Sequence, residues 1–343
     1  MDIKNAIEKV IRLKDLTEEE TISIFGEIME GNISPAQIGA FLSGLRMKGE
    51  SVSEITGAAR SMRNKAIKIS LPEEILKEGL LDTCGTGGTG KDTFNISTTV
   101  SFVVAGLGVK VAKHGNRAAS GRSGSADILE ALGVKIDVSP EVTAKCIREI
   151  GIGFLYAPLF HSAMKYAALP RKEIGIRTIF NLIGPLSNPA GATCQVMGVY
   201  DRDLTEKIAE VLGNLGVKRA YVVHGEDGFD EVTITGKTKV SELKNNKVVS
   251  YKIAPKDFGL KVSCGDDIVG GRNAEENAKI TRSVLSGKKG AALDIVLMNA
   301  AVAFMAAGRI EKMKEGTAMA LNSVTSGRAL EKLEELIKLT NEG

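Results

Sequence analysis

Residues 81–98 read LDTCGTGGTGKDTFNIST, and the glycines satisfy the spacing of two nucleotide-binding patterns at once. Gly85, Gly87 and Gly90 match G-x-G-x-x-G, the dinucleotide fingerprint, while Gly85, Gly90 and Lys91 match the opening of the P-loop, G-x-x-x-x-G-K-[ST]. A P-loop needs Ser or Thr after its lysine to ligate magnesium; Asp92 stands there instead, which counts against an ATPase or kinase. A dinucleotide site needs an Asp or Glu about 20 residues on, at the end of the second strand, to hold ribose hydroxyls. The next strand-like run, VKVAKH, ends in Lys113 and His114, and residues 93–126 contain no acid while Lys110, Lys113, Arg117 and Arg122 are basic. The stretch therefore reads as a pocket for anions.

What both patterns share is physical: glycines let backbone N–H groups turn towards a phosphate, and a helix starting near Asn95 adds its positive end. Asn95, Ser97, Thr98 and Thr99 add short polar side chains at that helix start. A second glycine and serine loop, HGNRAASGRSGSAD at 114–127, follows the second strand and precedes another helix. Two such loops above adjacent strand ends, where open α/β sheets bind ligands, suit a ligand with two phosphate groups.

Working outward, residues 3–65 are helical throughout. Ile3, Ile7, Val10 and Ile11 recur at helical spacing. Thr17 and Glu20 form a capping box before a segment stopped by Gly31, and Ser34-Pro35 opens the next, which Gly49 ends. After Leu71-Pro72, the apolar runs GLLDTC, GVKVAKHG, GIGFLYAP, TCQVMGVY and RAYVVHG alternate with amphipathic segments, which predicts a mostly parallel sheet covered by helices. EVTITG, TKVSEL and KVVSYKI, between residues 231 and 253, predict an antiparallel excursion, and helices close the chain from 273 to 339. Residues 163–189 are again helical in pattern and are expected to pack back on the N-terminal helices. The expected organisation is a small discontinuous helical domain (1–71 and about 160–190) and a large α/β domain (about 72–159 and 191–343), with hinges near 72, 160 and 190 and a cleft between the two.

Composition narrows the function classes. The 343 residues are 43% apolar and 25% charged, and a formal charge of +3 is too small for a general polyanion binder. Cys84, Cys146, Cys194 and Cys264 form no C-x-x-C pair, so reduced cytoplasmic thiols are expected rather than zinc or disulfides. The N-terminus, MDIKNAIEKV, lacks signal-peptide features, and residues 291–308, interrupted by Asp294 and Asn299, read as a buried helix rather than a membrane span.

The motifs GTGGTGKDTFNIST (85–98) and KHGNRAASGRSGSAD (113–127), supported by RKEIGIRTIFNLIGPLSNPA (171–190) and GFDEVT (228–233), resemble those of the anthranilate phosphoribosyltransferases, and the resemblance runs along essentially the whole chain. It implies a nucleoside phosphorylase/phosphoribosyltransferase type of fold, usually a homodimer through the helical part. It also implies transfer of phosphoribose from phosphoribosyl pyrophosphate (PRPP) to the amino group of anthranilate, with pyrophosphate leaving and Mg2+ required. Carried over by position, Gly85, Gly88, Thr89, Thr93, Asn95, Ile96, Ser97, Thr98, Lys113, His114, Gly115, Asn116, Arg117, Ala118, Ala119, Ser120, Gly121 and Ser125 look like PRPP contacts. Ser97, Asp230 and Glu231 look like metal ligands. Arg171, Asn116, Gly85, His114 and Pro158 look like the anthranilate site, with Ala157, His161 and Gly184 in its acceptor channel. One departure stands out: Thr89 occupies the place where the family's glycine motif has Asp, with Asp92 close by.

No nucleophile and base pair is evident, and an aromatic amine is already neutral at pH 7, so no dedicated acid or base is expected. Catalysis would rest on positioning and on stabilising charge as pyrophosphate departs. Two rivals remain at this stage. A pyrimidine nucleoside phosphorylase shares the plan, but KHGNR and Asn95-Ile96-Ser97-Thr98 favour the transferase. A nucleic-acid-binding relative is disfavoured by the near-neutral charge.

Overall fold

The computed structural model describes residues 1–87, 93–118 and 123–342. Four helices come first: α1 (Ile3–Ile11), α2 (Glu18–Glu30), α3 (Pro35–Lys48) and α4 (Val52–Lys65). The side chains of Thr17, Ser34 and Ser51 each accept an N–H three residues on, and Glu20, Gln37 and Glu54 close the capping boxes. Gly31 ends α2 in the left-handed region, at φ 81°, which glycine adopts without a Cβ penalty.

Strands and helices then alternate: α5 (Glu73–Glu78), β1 (Leu80–Gly85), α6 (Ile96–Ala105), β2 (Lys110–Gly115), α7 (Ser125–Ala131), α8 (Pro140–Glu149) and β3 (Ile152–Tyr156). The short α9 (Ala157–Phe160), α10 (Lys165–Ile174) and α11 (Phe180–Ile183) interrupt the alternation before β4 (Cys194–Gly198), α12 (Leu204–Asn214) and β5 (Arg219–Gly225). A hairpin, β6 (Thr238–Lys244) and β7 (Lys247–Ile253), precedes α13 (Ala274–Leu285), α14 (Ala291–Ala306), α15 (Met313–Thr325) and α16 (Arg328–Glu342).

The seven strands form one sheet in the order β3-β2-β1-β4-β5-β6-β7. The first five pair in parallel, while β6 and β7 add antiparallel to β5. Chain direction across the sheet reverses between β1 and β4, the switch point where such sheets open a crevice at their carboxyl ends. Of the three segments expected in the antiparallel excursion, TKVSEL and KVVSYKI are strands, but EVTITG is not. Its apolar alternation is real, yet side chains rather than a neighbouring strand take up its polar groups: Thr233 and Thr235 hydroxyls donate to Asp227, and Val232 pairs with Asn299.

Period-two alternation divides the strands between two cores. Val196 and Val223 face one with α6 and α14, while Met197 and Val222 face the other with α12 and the N-terminal helices. Ala167, Ile179, Phe180, Ile183 and Leu186 join Ile24, Phe25 and Phe41 in that second core, with the Phe25 and Phe180 rings 5.5 Å apart. The chain returns to the sheet at Asn188, whose buried amide donates to Asp82 Oδ2 and to the Ala112 carbonyl, both at 2.8 Å. α14 is apolar on all sides and buried; no helix among the described residues is long and apolar enough to cross a membrane.

Candidate active site

β1 and β2 lie side by side in parallel, so their carboxyl ends, Gly85 and Gly115, open onto the same space. Each is followed by a loop and then by a helix pointing its N-terminus back, α6 after Asn95 and α7 after Gly124. A cleft of about 840 Å³ lies there. It is walled by Gly85, Thr93, Asn95, Ile96, Ser97, Thr98, Lys113, His114, Gly115, Asn116, Arg117, Ala118, Ser125, Asp230 and Glu231, with Arg171 contributed by α10. Gly88, Thr89, Asp92, Ala119, Ser120 and Gly121 lie outside the described residues.

Glycine is dictated at two of these strand ends by what approaches them. A Cβ on Gly85 would come within 2.6 Å of Asp230 Oδ2, and one on Gly198, at the end of β4, within 1.6 Å of the Asp230 carbonyl oxygen. The missing side chains form the socket into which the acidic turn descends from the β5 side of the sheet. Asp230 Oδ2 is anchored by the Gly87 N–H at 2.9 Å. Thr86 ties the neighbouring strand ends together, its N–H donating to the Gly198 carbonyl and its hydroxyl accepting from Tyr200 N–H.

Lys113 occupies the floor, 3% exposed, its Nζ donating to the Thr83 carbonyl at 2.7 Å and reaching Ser97 Oγ at 3.4 Å. Burial pulls its pKa down, opposed by the charges of Asp82 and Glu231. Across the floor, burial and the neighbouring Asp230 push Glu231 up to about 8, against the pull of Lys113 and of the Ser97 N–H. Asp230 is raised by burial as well. Two carboxyl groups, one of them held largely protonated near neutral pH, thus share the floor with one ammonium, and a further cation there would favour ionising both.

The second loop is partly occupied by its own acid. Asp127 accepts the N–H groups of Ala118 and Gly124, and the Arg117 guanidinium pairs with Asp127 and Glu130 and donates to the Tyr156 hydroxyl. Asn95 and Ser123 bind each other in both directions, which couples the two loops, and Asn277 from α13 donates to Ser123 Oγ at 2.7 Å.

On the helical side, Arg171 makes no hydrogen bond or ion pair among the described residues; its guanidinium lies over the Phe180 ring at 5.1 Å, and burial lowers its pKa. Arg177 lies over Tyr200 at 4.5 Å. Phe180, Asn181, Arg177 and Tyr200 line the cleft without having been expected to. Only Arg177, Phe180 and Asn181 fall in a recognisable motif, and Tyr200 carries no signal in sequence. Ala157, Pro158, His161 and Gly184 do not line the cleft. His161 stacks obliquely on His114 at 5.1 Å, and desolvation takes His114 down to about 3 and His161 to about 4, so both rings are neutral.

A glycosyl transferase family α/β-domain model matches residues 77–330 and the same family's helical bundle domain matches 4–66. Anthranilate phosphoribosyltransferase of Geotalea uraniireducens is 55% identical over 99% of this chain and 100% of its own length. This chain belongs to the anthranilate phosphoribosyltransferase family. The crystal structure of the anthranilate phosphoribosyltransferase of Thermus thermophilus superposes with a TM-score of 0.92 at 42% identity, covering 98% of this chain and 99% of that one. The Saccharomyces cerevisiae enzyme in complex with PRPP and Mg superposes with a TM-score of 0.90 at 28% identity, covering 99% and 98%. Anthranilate phosphoribosyltransferases therefore share both the helical part and the sheet seen here.

Proposed function

We propose that this cleft transfers the phosphoribosyl group of PRPP to the amine of anthranilate, with the substrates at opposite ends of it. The observation that carries the reading is the floor itself, where buried Lys113, Ser97 and the Asp230–Glu231 pair converge beneath two helix N-termini. PRPP lies along Gly85, Thr93, the start of α6 and the loop after β2. The Lys113 ammonium and the α6 amides stabilise charge on the departing pyrophosphate.

Ser97, Asp230 and Glu231 would hold Mg2+. They fit it: hard oxygen donors, too few for a protein cage, leave positions for substrate oxygens, and a divalent ion would offset both the burial that chiefly raises Glu231 and its repulsion by Asp230. Bound there, the ion neutralises the pyrophosphate as it leaves.

The acceptor meets Arg171 and Asn116. A half-buried guanidinium with no carboxylate partner among the described residues suits the anthranilate carboxylate, which it can grip with two parallel N–H bonds. Neutral His114 lets an uncharged aromatic amine approach, with Gly85 in the same cleft wall. Pro158, which does not line the cleft, is left out of this reading.

The packing of 167–186 with the N-terminal helices supports a helical body formed by 1–71 and about 160–190 beside an α/β body of about 72–159 and 191–343. Exposed Ile11, Leu13 and Met47 at the ends of α1 and α3 support a homodimer through that body, which light scattering of the purified protein tests. The free thiols of Cys84, Cys146, Cys194 and Cys264 fit a cytoplasmic location. The activity is tested by following anthranilate fluorescence with PRPP and Mg2+ each omitted in turn; consumption that does not depend on PRPP overturns the reading.

A further inference from the structure

The residue after Glu231 is Val232, which is fully buried although residues 231–236 belong to no strand or helix. A buried backbone N–H and C=O each need a partner. One side chain supplies both: Asn299 Oδ1 accepts from the Val232 N–H at 3.0 Å, and its Nδ2 donates to the Val232 carbonyl at 2.9 Å. The second Nδ2 hydrogen goes to the Ile295 carbonyl one turn back, also at 2.9 Å.

Asn299 is 2% exposed and sits in α14 with buried apolar residues on every side. An amide in such surroundings costs stability unless its donors are used. For packing alone, Leu, with the same number and branching of side-chain heavy atoms, would serve. What the amide adds is a two-point hold on the peptide next to Glu231, since its other bond stays within its own helix. At the far end of the turn, Asp227 accepts the Phe229 N–H and the hydroxyls of Thr233 and Thr235. The acidic pair is thus suspended between a surface brace and a core brace.

We propose that Asn299 is a positioning residue for the acidic turn, fixing the carboxylates of Asp230 and Glu231 over the cleft floor by gripping Val232. The inference rests on the reading of that pair as the divalent-cation ligands. The lever is short: a shift of the Val232 peptide pulls on Glu231 next to it, and among the described residues Asp230 is held against such a shift by its Gly87 bond and its glycine socket.

The test measures Mn2+ binding by electron paramagnetic resonance in the presence of PRPP, for the wild type, Glu231→Gln, Asn299→Leu and Val302→Ala, the last being a cavity control in the same helix. Glu231→Gln and Asn299→Leu are expected to weaken Mn2+ by about tenfold or more, as losses around metal ligands do, while Val302→Ala stays near wild type. Glu231→Gln at wild-type affinity overturns the metal reading. Glu231→Gln weak with Asn299→Leu at wild-type affinity overturns the positioning role alone, as does Val302→Ala falling as far as Asn299→Leu. If Asn299→Leu does not fold, Asn299→Ala takes its place. Hydrogen exchange of the wild type gives an independent readout: the Val232 amide should exchange only with global unfolding, and exchange at the rate of an open loop overturns the grip.

Discussion

Replacing Gly198 with Ala tests whether the glycine socket sets the place of the acidic turn. The added Cβ would lie 1.6 Å from the Asp230 carbonyl oxygen and 2.5 Å from its carbon, whereas real Cβ contacts essentially never fall under 3.0 Å. Both clashing atoms are backbone, so no rotamer relieves them, and the turn must retreat by about 1.4 Å or β4 must bow. Such overpacking costs about 1–3 kcal/mol of stability, but a displacement near 1 Å at a reacting centre costs about a hundredfold in rate. The expected outcome is a folded protein with kcat lowered about a hundredfold and a higher Mg2+ requirement. Gly57→Ala is the control, because its Cβ would meet the Glu18 carbonyl at 2.6 Å within the N-terminal helices, far from the cleft. Urea unfolding and anthranilate fluorescence would be measured on both variants. Should Gly198→Ala turn over within about threefold of wild type while losing as much stability as Gly57→Ala, the socket does not position the carboxylates.

Arg171→Ala should raise the KM for anthranilate far more than that for PRPP, because its guanidinium has no carboxylate partner among the described residues; equal rises would contradict the assignment. Lys113→Met keeps the stem and removes the charge, so kcat/KM for PRPP should fall by about 2–3 kcal/mol in transition-state terms, a loss of about a hundredfold, in the same fluorescence assay. A wild-type rate there would rule out the ammonium as a pyrophosphate stabiliser. Asp82, buried between the His114 N–H and the Asn188 amide, is held up to about 6 by desolvation, above its unfolded value of 3.8. The native state therefore binds the proton more tightly, so this group's contribution to stability falls as pH rises from about 4 to about 6, by about 3 kcal/mol at most. Urea unfolding of wild type and Asp82→Asn over that window should show their difference changing by this amount, and a pH-independent difference would refute it.

The parts of the site legible in sequence are those whose physics is local. Glycines at 85 and 87, short polar residues at 95–98 and a lysine-ended strand report a phosphate-facing loop because each acts within a few residues of itself. The capping box at Thr17 and the helix start at Ser34-Pro35 were legible for the same reason, since the groups involved lie within three residues of one another. EVTITG misled because β-branched residues in a short run report only a local preference; what takes up the Val232 peptide is decided by Asn299, 67 positions away. Tyr200 and the His114–His161 stack were likewise invisible, being contacts between distant segments.

By itself, the sequence determined most of the order of helices and strands, the two glycine-bearing motifs and the family, since helix signals, strand runs and motif spacings are written along the chain. Tertiary structure alone decided which end of the sheet faces Arg171, why Gly198 must lack a side chain, and how the Asp230–Glu231 pair is held between Gly87 and Asn299. Those outcomes follow from steric exclusion and from buried hydrogen-bond satisfaction between residues far apart in the chain, and neither exists until the sheet has closed over its cores.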